Sequence, residues 1–142
     1  MISTSLARAL RDSGLLWHPT AGDAFRIDRV EVDDEIFYLS DMTVEAHELT
    51  TGTELGFNGT TEWALDSVSI EDAVWLPNET QLRMVLGRAF RSLVVEAPGF
   101  TVTAEIDGVA SDFTAALAED AYARALLALL DAVSGPTDPD DL

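Results

Sequence analysis

The spacing of apolar and polar positions changes along this chain between the two-residue period of strands and the longer period of helices. Leu6, Ala7 and Leu10 recur at helical spacing behind Ser3 and Thr4, either of which can cap, and Gly14 ends the segment. Arg8 and Arg11 are left to solvent. Leu15 to Pro19 reads as extended chain entering a turn at Ala21-Gly22-Asp23, and Ala24 to Ile27 then predicts a short strand. Ile36-Phe37-Tyr38-Leu39 is dense in β-formers. Met42 to Leu49 sets Met42, Val44 and Ala46 against Thr43, Glu45 and His47, the alternation of a half-buried antiparallel strand. Thr51-Gly52 turns the chain toward Glu54 to Phe57, and Asn58-Gly59 supplies the positive φ of a tight turn, so a meander is the simplest topology.

From Thr60 to Leu76 the periods interfere. Trp63, Leu65, Val68, Ile70, Val74 and Trp75 are apolar, but Asp66, Glu71 and Asp72 break both repeats, so this stretch reads as irregular with short pieces. Pro77 stops the run. Asn78 and Gln81 form a capping-box pattern for a helix whose Leu82, Val85, Leu86 and Phe90 share one face, with Gly87 inside it. Ser92 to Ala97 and Phe100 to Ile106 predict strands around Pro98-Gly99, and Asp107-Gly108 turns into a third strand from Val109 to Thr114. The last helix, Ala118 to Val133, directs Tyr122, Leu126, Leu129, Leu130 and Val133 to the core and ends at Gly135-Pro136. The expected fold is therefore α+β: antiparallel β-sheet meanders with about three helices, one N-terminal, one central after Pro77 and one C-terminal. Residues 1–135 are expected as a single domain and 136–142 as a disordered acidic tail.

Composition agrees with a folded chain. With 142 residues, 47% of them hydrophobic and 24% charged, there is enough apolar surface for a core despite a net charge of −18. No apolar run reaches the roughly 18 residues of a membrane span, and the amino terminus lacks a secretory pattern, so a cytoplasmic protein is expected. The charge is unevenly placed. Between Arg29 and Arg83 there is no Lys or Arg, yet thirteen of the twenty-six carboxylates lie there. Such a surface repels phosphate backbones and attracts cations or basic protein patches, which points away from nucleic acid. Cysteine is absent, removing disulfides, thiolate nucleophiles and iron–sulfur ligation. Lysine is absent too, removing Schiff-base chemistry and the phosphate loop of GxxxxGK[ST] type.

Four stretches carry a resemblance: Phe37 to Glu45 (FYLSDMTVE), Gly56 to Val68 (GFNGTTEWALDSV), Ala73 to Gly87 (AVWLPNETQLRMVLG) and Glu119 to Leu130 (EDAYARALLALL). Together they resemble a family of small actinobacterial proteins without an assigned activity, some of them labelled pilus-assembly proteins of the CpaE type. CpaE proper is a larger MinD-like ATPase with a phosphate-binding lysine, which this lysine-free chain cannot match. The resemblance implies a standalone domain and transfers no catalytic residue.

Few residues offer chemistry. His18 and His47 are the only histidines, and a metal site would combine them with Glu45, Asp23 or another carboxylate, at a spacing that fits no metal motif. Glu45 and His47 share a strand face and could ligate or shuttle a proton together, although such a face is ordinarily just solvated. Asp33-Asp34-Glu35 lacks the alternating ligands and central Gly of a calcium loop and reads as a solvated acidic run. No GxSxG elbow is present. Trp63 and Trp75, with Phe57 and Trp17, are aromatics bordered by carboxylates (Glu62, Asp66, Glu71, Asp72) and are candidate anchors for a basic partner, with core packing as the competing role.

These features make a non-enzymatic protein-binding or adaptor module the leading expectation, with Asp33, Asp34, Glu35, Glu62, Trp63, Asp66, Glu71, Asp72 and Trp75 facing a basic protein and with no cofactor, nucleic acid or membrane involved. The alternatives are a metal- or carboxylate-dependent enzyme using Glu45 and His47, and a structural domain whose charge serves solubility.

Overall fold

The computed structural model describes residues 1–29, 35–39, 44–49, 52–57, 67–69 and 72–134, the segments 44–49, 52–57 and 67–69 by their backbone. Its elements are α1 (Thr4–Asp12), β1 (Ala24–Ile27), β2 (Phe37–Tyr38), β3 (Val44–Leu49), β4 (Gly52–Phe57), β5 (Ser67–Ser69), β6 (Ala73–Leu76), α2 (Glu79–Leu86), a 3-10 turn (Gly87–Ala89), β7 (Phe90–Glu96), β8 (Gly99–Ile106), β9 (Val109–Ala115) and α3 (Ala118–Ser134). The class is α+β, as expected. The strands form three antiparallel sheets, ordered β2-β1-β6, β3-β4-β5 and β7-β8-β9. The chain groups into two compact units, Met1–Leu16 with Pro77–Leu142, and Trp17–Leu76.

In the discontinuous unit, α1 and α2 pack on α3, which lies against β8 and β9. Helix α1 ends as its sequence predicts. Gly14, at φ +99°, lets its own N–H reach the Arg11 carbonyl and the Leu15 N–H reach that of Leu10. At its start the capping expectation is corrected: Ser3 occupies the cap position, but its side chain makes no capping bond. The Ser3 backbone N–H instead donates to Asp120 Oδ1 at 2.8 Å, the Met1 ammonium lies 3.0 Å from Glu119, and Ile2 is buried between. Two carboxylates in the first turn of α3 thus complement that helix's positive end and fasten the far end of the chain to it.

Helix α2 carries both halves of the capping box, Gln81 N–H to Asn78 Oδ1 at 2.8 Å and Asn78 N–H to Gln81 Oε1 at 2.9 Å. It stops sooner than the apolar spacing predicts. Gly87 adopts φ +54° and closes the helix, so Phe90 begins β7 and stacks on Tyr122 with ring centroids 5.6 Å apart. Leu82 and Leu86 are buried as expected, whereas Val85 is exposed.

The β7-β8-β9 meander matches expectation. Asp107 and Gly108, at φ +53° and +78°, form the two-residue turn that joins Ile106 to its partner Val109. The other connection, Ala97–Pro98, has a cis peptide bond. Gly99 after it has no substitute, because a Cβ there would lie 2.3 Å from the Ala115 carbonyl oxygen. Ala118, Ala121 and Ala125 give α3 a low buried face, Ala123 is buried on another side of the helix, and α3 packs against β8, whose Val102 and Ala104 are fully buried. Val133 keeps the angular position of Leu126 but is 77% exposed, which corrects its expected place in the core.

In the sequence-inserted unit, β1 is the central strand of its sheet. Phe25, Ile27, Phe37, Leu39 and Ala73 form one buried cluster against which Trp17 packs, with the Phe25 ring 5.3 Å from Trp17 and 5.5 Å from Phe37. The stretch expected to be irregular contains β6, which returns from far along the chain to pair with β1 over four residues. Its burial pattern follows a sheet with both faces covered: Ala73, Val74 and Leu76 are all interior. The β3-β4-β5 sheet is a meander in which Glu45 pairs with Gly56 and His47 with Glu54. The expected turn at Asn58-Gly59 and the C-terminal tail lie outside the described residues.

Candidate functional site

Asp33, Asp34, Glu62, Trp63, Asp66 and Glu71 lie outside the described residues. The remaining three candidates sit at the β1-β2-β6 sheet. Glu35 is exposed just ahead of β2. Asp72 leads into β6, where its carboxylate lies 3.5 Å from the Arg29 guanidinium and its carbonyl accepts the Asp28 N–H at 2.6 Å. An exposed pair of this kind contributes little stability and leaves Asp72 partly neutralised. Trp75 is the register partner of Phe25 and therefore shares its face of the sheet. It is half-buried, with its indole Nε1 sealed from solvent and lacking a hydrogen-bond partner among the described residues. Its ring belongs to the packing of this unit.

A second aromatic-and-acid constellation joins the candidate anchor Trp17, packed on the core cluster of its unit, to Asp23. Asp23 is 5% exposed, and its Oδ2 accepts the Trp17 indole N–H at 2.9 Å and the Thr20 backbone N–H at 3.0 Å. The Asp23 carbonyl accepts the Leu39 N–H and the Leu39 carbonyl accepts the Gly22 N–H, so one residue ties the turn before β1 to the end of β2. These are positioning bonds, and they give Asp23 a role other than metal ligation. His18 is exposed in the preceding segment. Among the described residues no group of three His, Cys, Asp or Glu side chains is placed to hold a metal ion.

The discontinuous unit holds a third cluster, around Arg83. Its guanidinium lies 4.6 Å from the centroid of Phe90 and 5.7 Å from that of Tyr122, while Nε and Nη2 donate to the Tyr122 hydroxyl at 3.1 and 2.6 Å. Burial of the Tyr122 phenol raises its pKa above the ordinary tyrosine value, the Arg83 hydrogen bond and charge oppose that rise, and Glu79 adds to it. The phenol is thus a held proton donor rather than a ready base. Glu79, Thr80, Arg83 and the exposed Met84 border a depression along α2. Nothing in the local sequence pairs Arg83 with a tyrosine 39 residues away; the one signal is that Arg83 ends the long stretch without a cation.

Charge separates the two units more sharply than any of these clusters. Trp17–Leu76 has two arginines against fourteen carboxylates, a formal −12, whereas the discontinuous unit has six arginines against twelve carboxylates, a formal −6. No helix among the described residues is long and apolar enough to cross a membrane. No protein-family model matches this sequence, and neither does any curated protein or solved structure.

Proposed function

We propose that this chain is a non-enzymatic protein-binding module that docks a basic cytoplasmic protein through residues 31–72. The observation that carries the reading is the formal −12 on Trp17–Leu76, where only Arg26 and Arg29 oppose fourteen carboxylates. A field of that sign speeds encounter with a positive surface and disfavours nucleic acid. Asp33, Asp34, Glu35, Glu62, Asp66 and Glu71 supply the charge in this reading, with Asp72 shared with Arg29, with Trp63 as the aromatic contact and with Trp75 left to the packing of its sheet.

The test is capture from cytoplasmic extract with the native chain and with a variant carrying Asp33→Asn, Asp34→Asn, Glu62→Gln, Asp66→Asn and Glu71→Gln. The expected result is a stoichiometric basic protein held by the native chain, released as salt rises and lost from the variant. A partner retained equally by both chains, or indifferent to salt, overturns the reading.

A further inference from the structure

β7 is the edge of its sheet: among the described residues it pairs only with β8. It displays Val94 at 45% and Val95 at 73% exposure, on opposite faces of the strand. An edge with unpaired backbone and exposed apolar side chains is a template for another strand. The opposite edge is guarded, since the Arg124 guanidinium occupies the Thr114 carbonyl of β9 at 2.8 Å.

The register says which groups of β7 are free. Glu96 and Gly99 flank a two-residue connection and are therefore the hydrogen-bonded closing pair of the hairpin. By alternation Val94 and Ser92 also bond to β8, so Leu93 and Val95 send their N–H and C=O groups to the open edge. The register shift between Phe90 and Ser92 ends the regular stretch at Ser92. Arg91 stands at the start of the strand, with its guanidinium already paired to Glu105 of β8 at 2.8 Å, and Glu96 at the end is held in place by the Thr101 hydroxyl at 3.0 Å.

We propose that β7 pairs antiparallel with β7 of a second copy of this chain, about a two-fold axis at Val94, giving an isologous dimer with one six-stranded sheet. In this register Leu93 exchanges both backbone bonds with Val95 of the second copy. Val94 meets its own counterpart in a non-hydrogen-bonded pair, where side chains come closest. Glu96 of each strand then lies opposite Ser92 of the other, next to its Arg91–Glu105 ion pair. Two copies each at −18 repel at long range, so added salt tightens this dimer, the opposite of its effect on a basic partner. The two proposals therefore fail separately.

The experiment is sedimentation velocity of the full chain over a concentration series at low and high salt. The expected result is a monomer–dimer equilibrium that shifts to dimer as salt rises. Val95→Pro removes an N–H that faces the open edge and spares the bonds to β8, and Val94→Lys sets like charges opposite each other. Each is expected to weaken the dimer at least about tenfold with an unchanged circular dichroism spectrum. Val109→Lys, on the guarded edge, is expected to leave it intact. If Val95→Pro fails to fold, Val94→Lys alone decides. A chain that stays monomeric throughout, a dimer that survives the Val94 change, or one lost equally with Val109→Lys overturns the proposal.

Discussion

The two units are built by different kinds of information. In the discontinuous unit, helix ends and turns are set by residues a few positions apart: Asn78 with Gln81, Gly14 with Arg11 and Leu10, Asp107 with Gly108. In Trp17–Leu76 the sheet is closed by a strand that returns from Ala73, and the turn before β1 is fixed by a buried carboxylate. Removing a local device costs one element's end, whereas removing a shared one disturbs several elements at once.

The largest expected effect therefore falls in the inserted unit. Phe25→Ala removes the fully buried ring between Trp17 and Phe37 and is expected to cost about 3–5 kcal/mol in urea denaturation, with a change in Trp17 fluorescence. A cost below about 1 kcal/mol would move that unit's core elsewhere. Asp23→Ala comes next, at about 1–3 kcal/mol, because the Trp17 and Thr20 donors lose their acceptor inside the fold. Asn78→Ala, the local counterpart, is expected to cost about 1 kcal/mol and to fray only the start of α2 in amide exchange. A cap that proved more costly than Asp23 would reverse the contrast between the units.

An effect of similar size at neutral pH is expected of Tyr122→Phe, about 0.5–1.5 kcal/mol from the lost Arg83 bonds. Its signature is in alkali. Burial makes the folded chain hold the Tyr122 proton more tightly than the unfolded chain, although the Arg83 bond and charge oppose it, so the stability tied to the neutral phenol is whole below the ordinary tyrosine pKa of about 10 and is lost as pH rises from there through the higher folded value. With no lysine or cysteine in the chain, few other groups titrate in that range. Urea midpoints taken across it should fall for the native chain and fall less for Tyr122→Phe; parallel curves would show that the phenol does not carry the loss.

The same contrast explains what could be read in the sequence. The capping box, the Asp107-Gly108 turn and the three strands after it follow from neighbouring residues, and they appear where expected. β6 was illegible because its four residues are all apolar and show no alternation, two acids stand directly before them, and its pairing partner lies some fifty residues earlier, at Ala24 to Ile27. Gly87 was legible as a glycine but not as a terminator, since only the observed φ of +54° distinguishes a tolerated glycine from a helix end. Of the candidate site, the charge imbalance was fully visible in the sequence. The engagement of Asp72 by Arg29, the sealing of the Trp75 indole and the clamping of Tyr122 by Arg83 depend on distant residues meeting, which no local period encodes.

The bond from Ser3 to Asp120 spans 117 positions, and this separation sets an order in time. On a ribosome adding about 5–20 residues per second, α1 emerges ahead of α3 and waits roughly 6–23 s for this helix that covers it. During that interval the apolar face of Ile2, Ala7 and Leu10 has no permanent cover, while every partner in the β1-β2-β6 sheet has already been made. Helix α1, made well before α3, is thus among the last to be secured, and nascent chains arrested near residue 100 should show it open to protease while arrest beyond the end of α3 should protect it. Protection already complete in the shorter chain would break that order.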